Sequence, residues 1–196
     1  MGILTKILLR PGAVKALRAA DEILKDVTPM NFDCGRLCGK GCCRTDDTDN
    51  AGDTDENGMM LFPYEEEIMP PPSEAFPYRV IPSEAVRRDG RLLVCEGRCE
   101  REHRPLACRI FPLRIAVMTD PDTDEPYAAA RIDPRAKRVC PLAGDGIDGM
   151  APEFVKAVEA AGEALLKNTV QMQALYEEQD ALKNAEFLDG RDAPDK

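Results

Sequence analysis

Four cysteines fall within residues 34–43, in the stretch CGRLCGKGCCR. Thiolates bind zinc and iron, and spacings of two to four residues let one turn of the backbone present two ligands to the same metal. Glycines alternate with these cysteines, which opposes a regular helix and favours a loop wrapped around a metal. The stretch therefore predicts a thiolate metal site with Cys34, Cys38, Cys42 and Cys43 among its ligands.

Four further cysteines follow at wider spacing, namely Cys95, Cys99, Cys108 and Cys140. Eight cysteines in 196 residues is a lower proportion than in small secreted disulfide scaffolds, and clustered thiols of an intracellular chain more often bind metal than form disulfides. All eight are therefore predicted metal ligands. Their number allows two four-thiolate sites, or one site with spare cysteines, and leaves open which of them share a metal.

Basic side chains surround these cysteines although the chain is acidic, with 26 basic and 36 acidic side chains and a net charge of -10. Nearby cations lower the pKa of a thiol and favour the thiolate, which is the form that binds metal. They also offset the negative charge of an all-cysteine centre. Arg104 and Arg109, which flank Cys108, are predicted to lie directly behind the metal ligands in this role.

The order of these motifs resembles the YkgJ-like cysteine-cluster family. The features that carry the resemblance are the close thiols ending in Cys42-Cys43, then Cys95 and Cys99, the segment RPLACRIFP, and Cys140-Pro141. The family is described as a zinc- or iron-chelating domain, and it includes flagellin lysine N-methylases, which are thought to carry an iron–sulfur cluster. The resemblance covers about residues 34–146 and implies a [4Fe–4S] cluster, with all-cysteine Zn²⁺ as the alternative.

Other motif matches in the sequence are incomplete. The C-x3-C-x3-C spacing differs from the C-x3-C-x2-C of radical S-adenosylmethionine enzymes, and the chain lacks their repeated strand–helix units. Residues 53–58 resemble a calcium loop, but Tyr64 stands where that loop needs glutamate. GDGIDG, over residues 144–149, follows no clear strand, and its aspartates would repel a phosphate, so a loop is predicted there. His103 is not needed as a ligand beside eight thiols.

The remaining sequence predicts an α+β fold, loop-rich around its metal. Apolar spacing predicts a helix over 11–27, with Pro11 in its first turn, and a long C-terminal helix that Gly162 or Asn168 could break. Strand pairs are expected at 76–86 with 91–97 and at 112–120 with 125–133. The predicted organisation is an N-terminal helical segment over 1–30, a cysteine-cluster metal-binding domain over 31–148, the long helix over 149–188, and a disordered tail over 189–196.

The acidic net charge argues against a nucleic acid or an anionic membrane as partner. No apolar stretch reaches the roughly 18 residues of a membrane span and no signal peptide is evident, so the cytoplasm is the expected compartment.

Three functions stay open. By resemblance the chain is an enzyme or enzyme subunit in protein N-methylation, although no motif for S-adenosylmethionine is recognisable. It is otherwise a non-catalytic metal module whose C-terminal helix binds a protein partner, or a redox or metal-handling protein.

Overall fold

The computed structural model describes residues 3–30, 32–34, 39, 58–95 and 99–191, and these form an α+β fold as predicted. The helices are α1 (Ile3–Ile23), α2 (Leu106–Ile110), α3 (Pro152–Leu166) and α4 (Thr169–Arg191). The strands are β1 (Met59–Met60), β2 (Tyr78–Ser83), β3 (Gly90–Cys95), β4 (Leu113–Thr119) and β5 (Pro126–Ile132). Short 3-10 turns cover Glu65–Glu67, Arg101–His103, Pro134–Arg138, Pro141–Ala143 and Ile147–Gly149. Across these residues, no helix combines the length and the apolar character that crossing a membrane requires.

Helix α1 begins well before the predicted start, so Pro11 lies in its interior and not in its first turn. Proline inside a helix removes one backbone hydrogen bond and costs about 3 kcal/mol. The cost is offset by a face that is fully buried from Ala13 to Leu24 at intervals of three and four residues. Packing of that face thus overrides the local preference of Pro11 for a helix start.

The strands form two antiparallel sheets, and both predicted strand pairs are confirmed. The first sheet has the order β1-β3-β2, with Tyr78 opposite Cys95. The second sheet consists of β4 and β5, with Leu113 opposite Ile132. Side chains alternate between faces along a strand, and one face of the second sheet packs against α3 in the main core.

The predicted C-terminal helical stretch is present as two helices that meet at Asn168. The Asn168 side-chain oxygen accepts hydrogen bonds from the backbone N–H groups of Val170 and Gln171, at 3.1 and 3.2 Å, and so caps the start of α4. Gly162, the other candidate break, lies within α3. Helix α4 continues to Arg191, so the first residues of the predicted tail are helical, while 192–196 lie outside the described residues.

Apolar side chains are buried in two clusters. The main core lies between α1, α3 and the second sheet, and its fully buried members include Leu17, Phe154, Val158 and Leu165. A smaller cluster, formed by Leu61, Phe76, Leu93 and Cys99, lies at the first sheet. One of the predicted metal ligands, Cys99, is therefore part of the smaller core.

The GDGIDG segment precedes α3 as the predicted loop, in which Gly146 takes a positive φ of 77°.

Gly162 allows α3 to approach the second sheet closely. A Cβ atom at this position would lie 2.5 Å from the Cβ of Ala128 and 2.8 Å from Cγ2 of Ile115. Both distances are shorter than van der Waals contact, so the helix or the sheet would have to move to accept one methyl group. The close packing explains why a residue that disfavours helices is retained here without breaking α3.

We expect Gly162→Ala to lower the free energy of unfolding by about 1–2 kcal/mol, because the steric cost exceeds the gain in helix propensity. Denaturant unfolding followed by circular dichroism measures this change. Gly12→Ala in α1 is the matched control, since a single atom of the described residues, the side-chain nitrogen of Asn168 at 3.1 Å, lies within 4 Å of its new Cβ. Adding Ala128→Gly should restore part of the loss, and a purely additive double variant would contradict the steric explanation.

Glu65 is a fully buried carboxyl group that links three parts of the fold. It accepts hydrogen bonds from the backbone N–H of Phe62, at 2.8 Å, and from the backbone N–H of Leu106 at the start of α2. Burial raises the pKa of Glu65 to about 7; the two backbone hydrogen bonds oppose the rise, the nearby Asp21 carboxyl adds to it, and Arg87 opposes it. The folded protein therefore holds a proton on Glu65 at pH values where the unfolded chain has lost it.

We expect the stability of the fold to fall as pH rises from 4.5 towards 7, because only the folded state binds this proton in that range. The full contribution of such a shift is roughly 3 kcal/mol. Chemical denaturation at a series of pH values measures the slope. Glu65→Gln, which cannot titrate, should remove this part of the slope, whereas Glu84→Gln at an exposed site should retain it. An unchanged slope in Glu65→Gln would assign the pH dependence to other groups.

Candidate metal centre

The segment from Cys99 to Ile110 carries two of the predicted ligands and packs against the N-terminal part of the chain. It forms the short turn Arg101–His103 and then α2. Arg101 donates a hydrogen bond to the backbone carbonyl of Val27, and Nη1 of Arg109 lies 3.2 Å from Oδ1 of Asp21 in α1. Two arginines thus hold this segment on α1 and the residues that follow it.

Arg104 makes the contact closest to the first cysteine cluster. Its Nη1 and Nη2 atoms lie 3.2 and 3.3 Å from the two carboxylate oxygens of Asp33, the residue before Cys34. The side chains are only 11% and 29% exposed, so this ion pair is shielded from water. Burial lowers the pKa of Arg104, but hydrogen bonds to Asp33 and Cys99 outweigh it and hold the pKa above its usual range.

Arg101, Arg104 and Arg109 form a group that we call the arginine cluster. Burial lowers the pKa of Arg101, and the charges of Arg104 and Arg109 lower it further, while Cys34 and Asp33 act in the opposite direction. The three guanidinium groups are therefore close enough to repel one another. Cys34 and Cys99, which are far apart in the sequence, both lie within electrostatic reach of this cluster.

Arg109 gives the segment its local shape. Its Nε donates to the backbone carbonyl of Arg104 at 2.9 Å, and its Nη2 donates to the carbonyl of Glu102 at 2.7 Å. The side chain is 5% exposed, so these hydrogen bonds lie in the interior. Arg109 thus folds the chain ahead of α2 around its own guanidinium, and this places Arg104 opposite Asp33.

The arginine cluster contains donors without acceptors. The Nε atoms of Arg101 and Arg104 are buried and have no hydrogen-bond partner in the described part of the chain. A buried donor without an acceptor costs about 1–3 kcal/mol. Among the described residues, the cluster forms ion pairs with the carboxylates of Asp33 and Asp21, so three cations face two anions there. A further anionic group rich in acceptor atoms, such as a set of metal-bound thiolates, fits this surplus of charge and of donors.

The structure places the remaining predicted ligands at separate elements. Cys95 ends β3 and packs against the smaller apolar cluster that contains Cys99, Cys108 lies within α2, and Cys140 precedes the turn Pro141–Ala143. None of these, nor Cys34, forms a disulfide bond. Cys38, Cys42 and Cys43 lie outside the described residues, as does the calcium-like stretch over 53–57.

A mononuclear zinc site brings its thiolates close together. Tetrahedral bonds of about 2.3 Å place the sulfur atoms about 3.8 Å apart. No three thiols of the described residues lie within 4.8 Å of one another. These five cysteines alone therefore do not form such a site, and a centre near Cys34 and Cys99 would need ligands from the rest of the first cysteine cluster.

Glu100, Glu102 and His103 are the one group of three possible ligands within 4.8 Å that the described residues contain. The carboxyl side of this group faces water, with the Glu102 side chain 72% exposed. The His103 ring stacks on Phe76, with ring centroids 6.1 Å apart. Exposed carboxylates commonly gather without binding a metal, and the ring contact accounts for the position of His103. This arrangement does not add to the candidate site.

Sequence reasoning missed Asp33 and gave Arg101 no separate role. The partner of Asp33 lies 71 positions away, so no local pattern reveals it, and its only signal is that it adjoins Cys34. Arg101 precedes Arg104 by three residues, a spacing that can place two cations on one side of a turn. That spacing within a cysteine-rich segment is the signal that could have identified it.

Comparisons of the chain with protein-family models, with curated proteins and with solved structures found no match. Function is therefore inferred from the residues themselves. An open cleft of about 1020 Å³ lies between α1, the Glu65–Glu67 turn and the start of α4, and no described cysteine lines it. Cys34 and Cys99 therefore lie outside this cleft.

We expect Arg104→Gln to lower the free energy of unfolding by about 2 kcal/mol or more, because it leaves the shielded Asp33 carboxylate without its cation. Arg91→Gln is the matched control. Arg91 makes a similar ion pair with Glu66 at 2.6 Å, but its side chain is 43% exposed, so a loss below about 1 kcal/mol is expected. Chemical denaturation of both variants measures the difference. Equal losses would show that burial does not strengthen the Arg104–Asp33 pair.

Proposed function

We propose that the protein binds a metal centre through cysteine thiolates, and that a [4Fe–4S] cluster is the favoured group. One observation carries the proposal: Cys34 and Cys99, from distant parts of the sequence, both lie within electrostatic reach of the same largely buried arginine cluster. Buried cations that face one another are costly unless anions offset them. Thiolates that hold a metal supply such anions.

The residues that would hold the metal are drawn from the eight cysteines. Cys34 and Cys99 are the first candidates, and Cys38, Cys42 and Cys43 could complete the set because short loops join them to Cys34. The arginine cluster would stabilise the thiolate forms, donate hydrogen bonds towards the sulfur atoms and keep the N-terminal and 99–110 segments together. A bound iron–sulfur cluster supplies one-electron chemistry, with a potential set by such hydrogen bonds and charges.

All-cysteine zinc is the alternative, and one observation favours a structural role for a metal here. Among the described residues, the buried members of the smaller apolar cluster are Leu61, Phe76, Leu93 and Cys99. Small cores of this kind are often reinforced by a structural metal. In this alternative the chain is a non-catalytic module, and α4 is the surface proposed to bind a protein partner.

The catalytic proposal is protein modification of the N-methylation type. It is supported by the motif resemblance alone, from Cys42-Cys43 through RPLACRIFP to Cys140-Pro141. The cytoplasm is the proposed compartment, since a reducing environment keeps thiols available as ligands. No nucleic acid is proposed as a partner, because the chain is acidic overall.

Anaerobic purification followed by metal and sulfide analysis tests the proposal. Iron and acid-labile sulfide in similar amounts, with broad visible absorption, would support an iron–sulfur cluster. A colourless protein with stoichiometric zinc would replace the cluster by the zinc alternative. A protein that carries neither metal, whether isolated or reconstituted, would contradict metal binding itself.

We expect Cys34→Ser and Cys99→Ser each to lower the bound metal by at least about tenfold, because both remove a proposed ligand. Metal content per folded chain is measured after gel filtration, with circular dichroism to confirm folding. Ala107→Ser is the matched control, since it adds a hydroxyl beside Cys108 and removes no thiol. Full metal content in both cysteine variants would exclude these two residues as ligands.

Titration calorimetry of the metal-loaded protein with S-adenosylmethionine distinguishes the two functional proposals. Binding of S-adenosylmethionine would support the N-methylation proposal, and no binding would favour the non-catalytic module.

A further inference from the structure

Charge is distributed very unevenly along this acidic chain. The first 20 residues contain Lys6, Arg10, Lys15 and Arg18 and no acidic side chain. The whole chain has 26 basic and 36 acidic side chains, so the other residues contain 22 basic and 36 acidic ones. A net charge taken over the whole chain hides a positive helix at the N-terminal end.

Helix α1 presents Arg10, Lys15 and Arg18 outward. Its opposite face is buried, with Ala13, Leu17 and Ala20 in the core. Positions three or four residues apart share one side of a helix, so Leu8, Pro11, Lys15 and Arg18 form an outward stripe, and all four are exposed. Lys15 and Arg18 make no ion pair with the described residues, whereas Arg10 pairs with Glu67 at 2.7 Å.

The N-terminal end of this stripe is apolar. Leu8 is 79% exposed, the highest value among the exposed large apolar residues of the described chain. The helix continues to Ile3, and its sequence over residues 3–9, ILTKILL, is dominated by apolar residues. Seven to ten residues of helix, about 10–15 Å, separate Leu8 from Lys15 and Arg18. The same side of the helix thus carries an exposed leucine and two cations that form no ion pair with the described residues.

We propose that the outward stripe of α1 binds an anionic lipid surface. Leu8 would enter the boundary between headgroups and acyl chains, while Lys15 and Arg18 contact lipid phosphates. This is peripheral binding in which the helix lies on the surface and does not cross it. An acidic protein partner would satisfy the cations equally well, but it gives no reason for a leucine that is 79% exposed at the end of the same stripe.

Among the described residues, the neighbouring carboxylates are already paired with other cations. Glu67 pairs with Arg10, and Asp21, whose side chain is 39% exposed, pairs with the buried Arg109. Glu22 continues the exposed side one turn beyond Arg18 and lies 3.7 Å from Lys25. The stripe therefore ends at Arg18, and binding should decrease steeply with ionic strength because exposed charges are screened within about 10 Å at 0.1 M salt.

Co-sedimentation of the full chain with vesicles tests the proposal. Vesicles of phosphatidylcholine alone are compared with vesicles that contain phosphatidylglycerol, at low and high salt. Lys15→Glu/Arg18→Glu should lower binding to the anionic vesicles at least about tenfold, because each cation near such a surface contributes an independent attraction. The matched control, Lys156→Glu/Lys183→Glu, makes the same change of charge at exposed sites on α3 and α4 and should bind like the unaltered protein.

A second variant separates the apolar contribution from the charges. Leu8→Gln should lower binding about fivefold and leave its salt dependence unchanged, since it removes buried apolar area and no charge. Circular dichroism confirms that each variant is folded. Equal binding to neutral and anionic vesicles, or an equal loss in the control, would overturn the proposal. Binding to soluble polyglutamate without binding to anionic vesicles would assign the stripe to an acidic protein partner. None of these outcomes depends on whether the cysteines hold a metal.

Discussion

The ion pair between Arg104 and Asp33 joins two segments that share no secondary structure. It is bidentate and largely shielded, with the Arg104 side chain 11% exposed. A planar guanidinium that meets both carboxylate oxygens fixes orientation as well as distance, which a lysine could not do. Because Cys34 adjoins Asp33, and Cys99 helps to raise the pKa of Arg104, this pair holds the backbone at Cys34 near the segment that contains Cys99.

Buried polar side chains also hold residues 61–67 in place, by hydrogen bonds. Glu65 accepts a hydrogen bond from the start of α2, and the Nε2 of the fully buried Gln171 donates to the carbonyl of Pro63 at 2.9 Å. Arg87 donates to the carbonyl of Leu61. A chain with 5% aromatic residues has few large side chains with which to fill a core. Directional hydrogen bonds to backbone groups therefore position the segment that lies between α1, α2 and α4.

The elements that sequence reasoning predicted are those whose signals are local. Short apolar stretches next to turn residues predicted β2 with β3, and two further stretches joined by a polar turn predicted β4 with β5. The division at Asn168 is local too, because the side chain caps the helix that follows it. The early start of α1 was missed because the free-energy cost of a proline inside a helix is visible at Pro11 itself. The core packing that offsets this cost involves residues further along the helix, which the local sequence does not show. Gly162 was a candidate break for the same reason, since only the fold shows Ala128 beside it.

The residues of the candidate site also fall into two groups, those with a local signal in the sequence and those without one. Ligand types and their basic surroundings are visible in the sequence, so the cysteines, Arg104 and Arg109 could be named as candidates. Asp33 could not, because its role depends on a partner 71 positions away. The net charge of -10 is a sum that hides local groups of positive charge, such as the arginine cluster and the exposed side of α1. Coulomb interactions fall with distance and are screened by salt, so a partner responds to the nearest charges and not to the sum. The prediction of no membrane partner was drawn from that sum, whereas the lipid proposal follows from where the charges lie.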